Sequence, residues 1–282
     1  MSALEEFLRG LEASGRSNFH VDGMRRRIRR FLEFAGGEIS REAILDFFLS
    51  LRCSPKTRLH YYRSVKQFLK YMGLGYLMDG VKPPRVPKRD PPIIGVEEVL
   101  EDLERLSFRR RVEVLLLAFT GLRPWEAHRL DWSDVDLEGC RIRVRADIAK
   151  DYEERYTFIP RSFSQTLSKV REQGYKPLEL YTLQHEMRRR GCRLTPKLLR
   201  KFFIQRLEKL GVPRSVVKKL SGHRLGNDIY DGNYFNASWI ECESFYRRIE
   251  DQILSIRGLR AWRDILNDKP EHFTPHPVEA KP

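Results

Sequence analysis

The sequence predicts a mainly α-helical protein of two domains that carries one small β-hairpin or sheet. Three observations point to this class. Apolar residues recur at helical spacing through most of the 282 residues. Strict alternation is confined to two short segments, Arg141 to Arg145 and Tyr156 to Pro160. A stretch rich in proline and basic residues, Gly80 to Pro92, interrupts the helical pattern. The chain is also long enough for two cores, since domains commonly run about 100 to 200 residues.

The first domain, residues 1–78, reads as four short helices. Leu4, Phe7, Leu8 and Leu11 fall at i, i+3, i+4 and i+7, and Met24, Ile28, Phe31 and Leu32 continue that period in a second segment. Ser40 precedes Glu42 and the run Ala43 to Leu51 as an N-cap does, and Ser54-Pro55 opens a fourth helix through Met72, with Gly73 at its end. Residues 79–92 then form an extended basic linker. The second domain, 93–266, opens with helices over Val96 to Leu106 and Arg109 to Thr120. It passes through the two alternating segments, with Ala146 to Arg155 as the tip between them, and is again mostly helical from Ser162. A helix is expected from Ser238 through Leu266, with Ile240, Phe245, Ile249, Ile253 and Leu254 on an apolar side that can pack within its own chain. Asn267 to Pro282 has four prolines and few apolar residues and is expected to be poorly ordered.

Charge narrows the function classes. With 53 Lys and Arg against 39 Asp and Glu, the net charge is +14. The basic residues are spread along the whole chain, interleaved with aromatics, and suit a surface that faces a polyanion. Arg25, Arg26, Arg27, Arg29, Arg30, Arg58, His60, Arg63, Lys66 and Lys70 lie between the apolar positions of the first domain and make a basic outer face for DNA phosphates. No apolar run approaches the roughly 20 residues of a membrane span, and the N-terminus lacks the pattern of a signal peptide, so a cytoplasmic protein is expected. Cys53, Cys140, Cys192 and Cys242 are far apart and form neither a C-x-x-C pair nor a disulfide framework. There is no glycine-rich phosphate loop, no H-E-x-x-H and no carboxylate cluster with magnesium-site spacing. Chemistry on phosphate is therefore expected to run without a metal or other cofactor.

The most informative segment is Thr120-Gly121-Leu122-Arg123-Pro124-Trp125-Glu126, directly after the apolar run Val112 to Phe119. An arginine at the end of a buried helix is costly unless it holds an anion. Glu126 reads as its supporting carboxylate, and Trp125 and Trp132 as packing residues. Continuing through Ala127 to Val135, this segment resembles the first box of the tyrosine recombinase family, which includes phage integrases and Xer proteins. Four further matches follow in order. Lys150 lies five residues before Arg155 and the returning strand, where the family has a hairpin lysine. Thr195 to Phe203 resembles the second box, with Arg200 as its arginine, and Leu207 to Gly222 leads to His223 as a Gly-His third box does. Asn233-Tyr234-Phe235 resembles the tyrosine segment of archaeal and viral integrases.

The resemblance covers about Ile93 to Tyr234. It implies a helical core-binding domain of the SAM-like kind followed by a tyrosine recombinase catalytic domain, together forming a C-shaped clamp on double-stranded DNA. It also implies a monomer or weak dimer in the free state and a tetramer in the synaptic complex. In this reading Arg123 and Arg200 bind the non-bridging oxygens of the scissile phosphate, Lys150 is the general acid, and His223 and Lys197 are candidates to assist the nucleophile, Tyr234. Two positions depart from the family. Lys197 stands where most members have histidine; a lysine donates to a phosphoryl oxygen but is not a neutral acceptor near pH 7. At the family's usual distance after His223 the chain has Gly232, flanked by Tyr230 and Tyr234, which leaves Tyr230 as the alternative nucleophile.

The function implied is site-specific cleavage and rejoining of DNA through a 3′-phosphotyrosine. Two other readings stay open: a type IB topoisomerase-like enzyme, and a recombinase-derived DNA-binding protein that has lost catalysis.

Overall fold

The computed structural model describes residues 2–88, 90–223, 237–255 and 262–267. Two compact units divide it, Met1–Pro91 and Pro92–Pro282. Among the described residues no helix is long and apolar enough to cross a membrane.

The first unit is built from four helices, α1 (Ala3–Ala13), α2 (Asn18–Ala35), α3 (Arg41–Ser50) and α4 (Pro55–Tyr71). Each begins where a serine, Ser2, Ser17, Ser40 or Ser54, accepts a hydrogen bond from a backbone N–H of the first turn. Pro55 sits at the first helical position of α4, where no N–H is needed. Leu4, Phe7, Leu8 and Leu11 are buried against Val21, Met24, Ile28 and Phe68, while Phe31, Ile44, Phe47, Tyr62, Val65 and Leu69 form a second cluster. Arg27 donates from Nε to the buried Ser64 Oγ at 2.7 Å and so ties α2 to α4. Arg26, Arg29, Arg30, His60, Arg63, Lys66 and Lys70 are exposed on these two helices.

The second unit is organised around α6 (Phe108–Thr120), in which every residue from Val112 to Thr120 is buried. A helix covered on all sides must satisfy its end groups internally. At its start Glu113, fully buried, accepts from Arg110 at 2.6 Å and pairs with Arg109 at 3.1 Å. At its end Leu117 C=O accepts from Gly121 N–H, Phe119 C=O from the Tyr246 hydroxyl at 3.0 Å, and Thr120 C=O from the Thr157 hydroxyl at 2.7 Å. Gly121 has φ +61°, and a Cβ there would stand 2.2 Å from the Phe203 ring, so α6 can stop and α10 approach only with glycine at this position.

Around α6 lie α5 (Val96–Glu104), α7 (Pro124–His128), a three-stranded sheet, α8 (Arg161–Glu172), α9 (Leu180–Arg189), α10 (Pro196–Lys209), α11 (Arg214–Ser221) and α12 (Trp239–Ile249). The sheet is an antiparallel meander of β1 (Val135–Asp136), β2 (Arg141–Val144) and β3 (Arg155–Phe158), in the order β1-β2-β3. Its register pairs Arg141 with Phe158 and Val144 with Arg155. Ile142 and Val144 are buried and Arg141 and Arg143 exposed, as the alternation predicts.

The fold class is therefore mainly helical with a small sheet, as expected from sequence, with several differences in detail. The two-residue strand β1 joins the hairpin. The helix expected from Ser238 through Leu266 is not continuous: α12 ends at Ile249, a 3-10 turn covers Glu250–Gln252, and a separate helix spans Trp262–Asn267. Arg206 donates to the carbonyls of Gln252, Ile253 and Ser255, which a continuing helix would have used internally. Ile240, expected on the apolar side, is 82% exposed, and α12 packs on its own chain through Cys242, Tyr246 and Ile249. Trp125, expected as a core or packing residue, is 44% exposed because five-residue α7 leaves one face open, and it packs at the surface on His128, Tyr181 and Arg129, not in the core. The tail expected to be poorly ordered lies outside the described residues from 268 onward.

Candidate active site

Three of the expected site residues come together where the ends of α6 and α11 face the middle of α10. Arg123 follows the left-handed Gly121 and caps α7; its backbone N–H donates to Glu126 Oε2 at 2.9 Å, and Pro124 takes the first helical position. Its side chain donates from Nη1 to Glu126 Oε1 at 2.7 Å, and from Nη2 to Gly222 C=O at 2.7 Å and Asp151 Oδ2 at 3.0 Å. Arg200, 7% exposed, donates from Nη1 to Gly121 C=O at 2.7 Å and meets His223 Nε2 at 3.4 Å through Nη2. Each arginine is thus anchored on the carbonyl of a helix-ending glycine in another motif, Arg123 on Gly222 and Arg200 on Gly121. Anchoring of this kind fixes the guanidinium planes before any ligand arrives.

The turn carrying His223 is equally constrained. Gly222 ends α11 at φ +62°, and His223 N–H closes back on Lys218 C=O at 2.9 Å. His223 Nδ1 lies 2.9 Å from Ser221 Oγ, and that hydroxyl donates to Val217 C=O at 2.7 Å. With the serine proton so committed, Ser221 Oγ accepts from Nδ1–H, which leaves the lone pair on Nε2, facing Arg200. Burial, followed by the charges of Arg200 and Arg123, holds the imidazole below its usual 6.5, so it is neutral at physiological pH. Burial and the neighbouring Arg123 also bring Arg200 down to about 10, which still leaves it protonated.

Arg155 is a further site component, one that no motif spacing singles out. This arginine, 5% exposed at the start of β3, grips Glu126 with Nη2 to Oε2 at 2.5 Å and Nη1 to Oε1 at 3.2 Å. A Cβ on Gly222 would fall 2.7 Å from its Cζ and Nε, so the glycine also makes room for the guanidinium. Glu126 therefore lies between two arginines. Burial pushes its carboxyl up, but the hydrogen bonds from Arg155 and Arg123 outweigh that and hold it below the usual range.

The other expected residues are placed less centrally. Lys150 is exposed at the hairpin tip, next to Asp151, which reaches Arg123. Lys197 is exposed in the first turn of α10, three residues before Arg200 and so on the same side of the helix. The start of α10 is set by fully buried Asp102, which accepts from the N–H groups of Arg193 and Leu194 at 3.0 and 2.8 Å. Tyr230 and Tyr234 both lie outside the described residues.

With this geometry in view, residues 95–236 match the profile of the phage integrase family. That is half of the chain. The chain belongs to the phage integrase family. Its relatives include the tyrosine recombinase XerA of Thermococcus kodakarensis, 28% identical over 246 residues that cover 78% of this chain and 86% of the relative. The tyrosine recombinase XerC of Myxococcus xanthus is 28% identical over 65% of this chain and 66% of its own length. Among solved structures, a lambda integrase dimer bound to a core site superposes with a TM-score of 0.61 at 16% identity, covering 79% of this chain and 94% of that one. The pre-cleavage complex of the XerH recombinase with its difH substrate gives 0.58 at 18% identity, covering 86% and 84%. The fold is that of tyrosine recombinase catalytic domains, and this phage integrase family member is a tyrosine-type site-specific DNA recombinase.

Proposed function

We propose that this recombinase cleaves and rejoins DNA through a 3′-phosphotyrosine formed by Tyr234, on a phosphate held by Arg123 and Arg200. The observation that carries this reading is the pair of carbonyl-anchored arginines, Arg200 buried and Arg123 largely so, beside a neutral histidine. The phenol Oη of Tyr234 attacks phosphorus, the P–O5′ bond breaks, and the 5′ oxygen takes a proton as it departs. Negative charge grows on the non-bridging oxygens during attack, and two pre-fixed guanidiniums stabilise it most where water is excluded. The phenolic proton passes to Nε2 of His223. A lysine ammonium donates but does not accept, so Lys197 contributes a hydrogen bond to a phosphoryl oxygen. Lys150, on the hairpin tip, protonates the leaving oxygen. Attack by another 5′ hydroxyl reverses these steps and completes strand transfer. The exposed basic faces of α2 and α4 grip the DNA backbone, and two duplexes are joined in a tetramer, as the family resemblance implies.

A nicked duplex selected by binding from a random-sequence pool tests this reading. The unaltered protein should form a covalent adduct that survives in Tyr230→Phe and disappears in Tyr234→Phe. The opposite pattern transfers the nucleophile to Tyr230, and absence of any adduct overturns catalysis in favour of a DNA-binding role.

The histidine gives a second expectation. His223 titrates below 6.5 in the free protein because burial and Arg200 disfavour its cation. A phosphate beside it favours the cation, so phosphate binding draws up a proton in the pH window that opens above the depressed value. DNA affinity should therefore rise as pH falls through that window. In His223→Gln the rise should be smaller when dissociation constants are measured from about pH 5 to pH 8.

A further inference from the structure

We propose that Asp151 is a specificity-determining residue of the phosphate site, a resident anion on Arg123 that an incoming phosphate must displace. This inference rests on the assignment of Arg123 to the scissile phosphate. Arg123 Nη2 carries two protons, and both are engaged, one by Gly222 C=O at 2.7 Å and the other by Asp151 Oδ2 at 3.0 Å. The pair is three-quarters buried or more, with side-chain exposures of 20% and 25%, so solvent screens it less than a surface ion pair.

The loop is built to deliver this carboxylate. Ile148 and Ala149 are 6% exposed and both donate N–H to Arg145 C=O, which pins the strand side of the tip. Tyr152, directly after Asp151, takes a left-handed φ of +57° and donates its N–H to Ala149 C=O at 3.2 Å. A bulky residue seldom adopts that conformation, and here it turns the chain sharply at Asp151. The ring of Tyr152 stays outside, 71% exposed, while the preceding carboxylate reaches Arg123.

Two anions on one donor edge repel each other. A phosphate that engages Arg123 alone gains little from replacing Asp151, because one charge-assisted pair is exchanged for another. A phosphate seated on both Arg123 and Arg200 gains a second arginine and wins the exchange. Asp151 therefore weakens the binding of loosely placed phosphates more than that of the correctly seated one.

Asp147 supplies the control. It lies on the same loop, is 70% exposed at its side chain, and pairs with Arg145, not with Arg123. Asp151→Asn and Asp147→Asn change the net charge equally. For a duplex of unrelated sequence at fixed ionic strength, Asp151→Asn should bind about three- to tenfold tighter than Asp147→Asn. Its preference for the selected site over the unrelated duplex should fall by a similar factor. Equal affinities in the two variants, or weaker binding by Asp151→Asn, overturn the proposal. A failure of the arginine assignment would look different: the unaltered protein would form no adduct on the selected duplex, while the ratio between the two variants would still report on Asp151.

Discussion

Replacing Arg200 by glutamine should lower the rate of adduct formation on a nicked duplex by on the order of 10²- to 10³-fold, the effect of removing one preorganised donor from a developing anion. It should do so without a matching loss of stability. Arg200 is almost fully buried, yet its direct partners among the described residues are a carbonyl and a neutral imidazole, while Glu126 is held by Arg123 and Arg155. Burial and Arg123 bring its pKa down to about 10, which means that the folded state disfavours this cation relative to the unfolded chain. A buried charge with no carboxylate bonded to it among the described residues, retained at the meeting point of three helices, is a cost that the fold bears and the phosphate repays. Single-turnover cleavage and denaturant midpoints, measured on the same preparations, check both halves. A parallel fall of rate and stability would assign Arg200 to structure.

Glu126 should behave in the opposite way. It accepts both guanidinium nitrogens of Arg155, together with the backbone and side chain of Arg123. Glu126→Ala leaves a 5% exposed arginine without its carboxylate, and breaking a buried pair of this kind costs about 3 to 5 kcal/mol. Because the folded-state pKa of Glu126 lies below its ordinary 4.5, the stabilisation is fully present above that value and is lost as pH falls through the lower folded value. The stability gap between the unaltered protein and Glu126→Ala should therefore be constant near neutrality and shrink in acid. Urea unfolding at several pH values measures it.

Much of this arrangement is legible in the sequence because it depends on local patterns. Serine caps and the i, i+3, i+4 spacing define α1 to α4, alternation defines β2 and β3, and the end of the apolar run in α6 places Arg123. The second arginine and the third-box histidine follow in order along α10 and the end of α11. What could not be read locally is how these elements meet. Asp151 and Arg155 lie 28 and 29 residues from their partners Arg123 and Glu126, and no spacing rule links them. For Arg155 a signal was present: in the antiparallel register it pairs with buried Val144, which puts a charged residue on the inward face of the sheet. For Trp125 the short length of α7 overrode the expectation from hydrophobicity, because a helix of five residues offers too little surface to bury both faces.

If Arg123 and Arg200 hold a scissile phosphate, that phosphate becomes linked to a tyrosine of this chain. Peptide mapping of the covalent adduct on the selected nicked duplex identifies the linked residue. The DNA 3′-phosphate should be attached to the peptide at Tyr234. Attachment to any residue other than Tyr230 or Tyr234, or linkage through a 5′-phosphate, would contradict this chemistry.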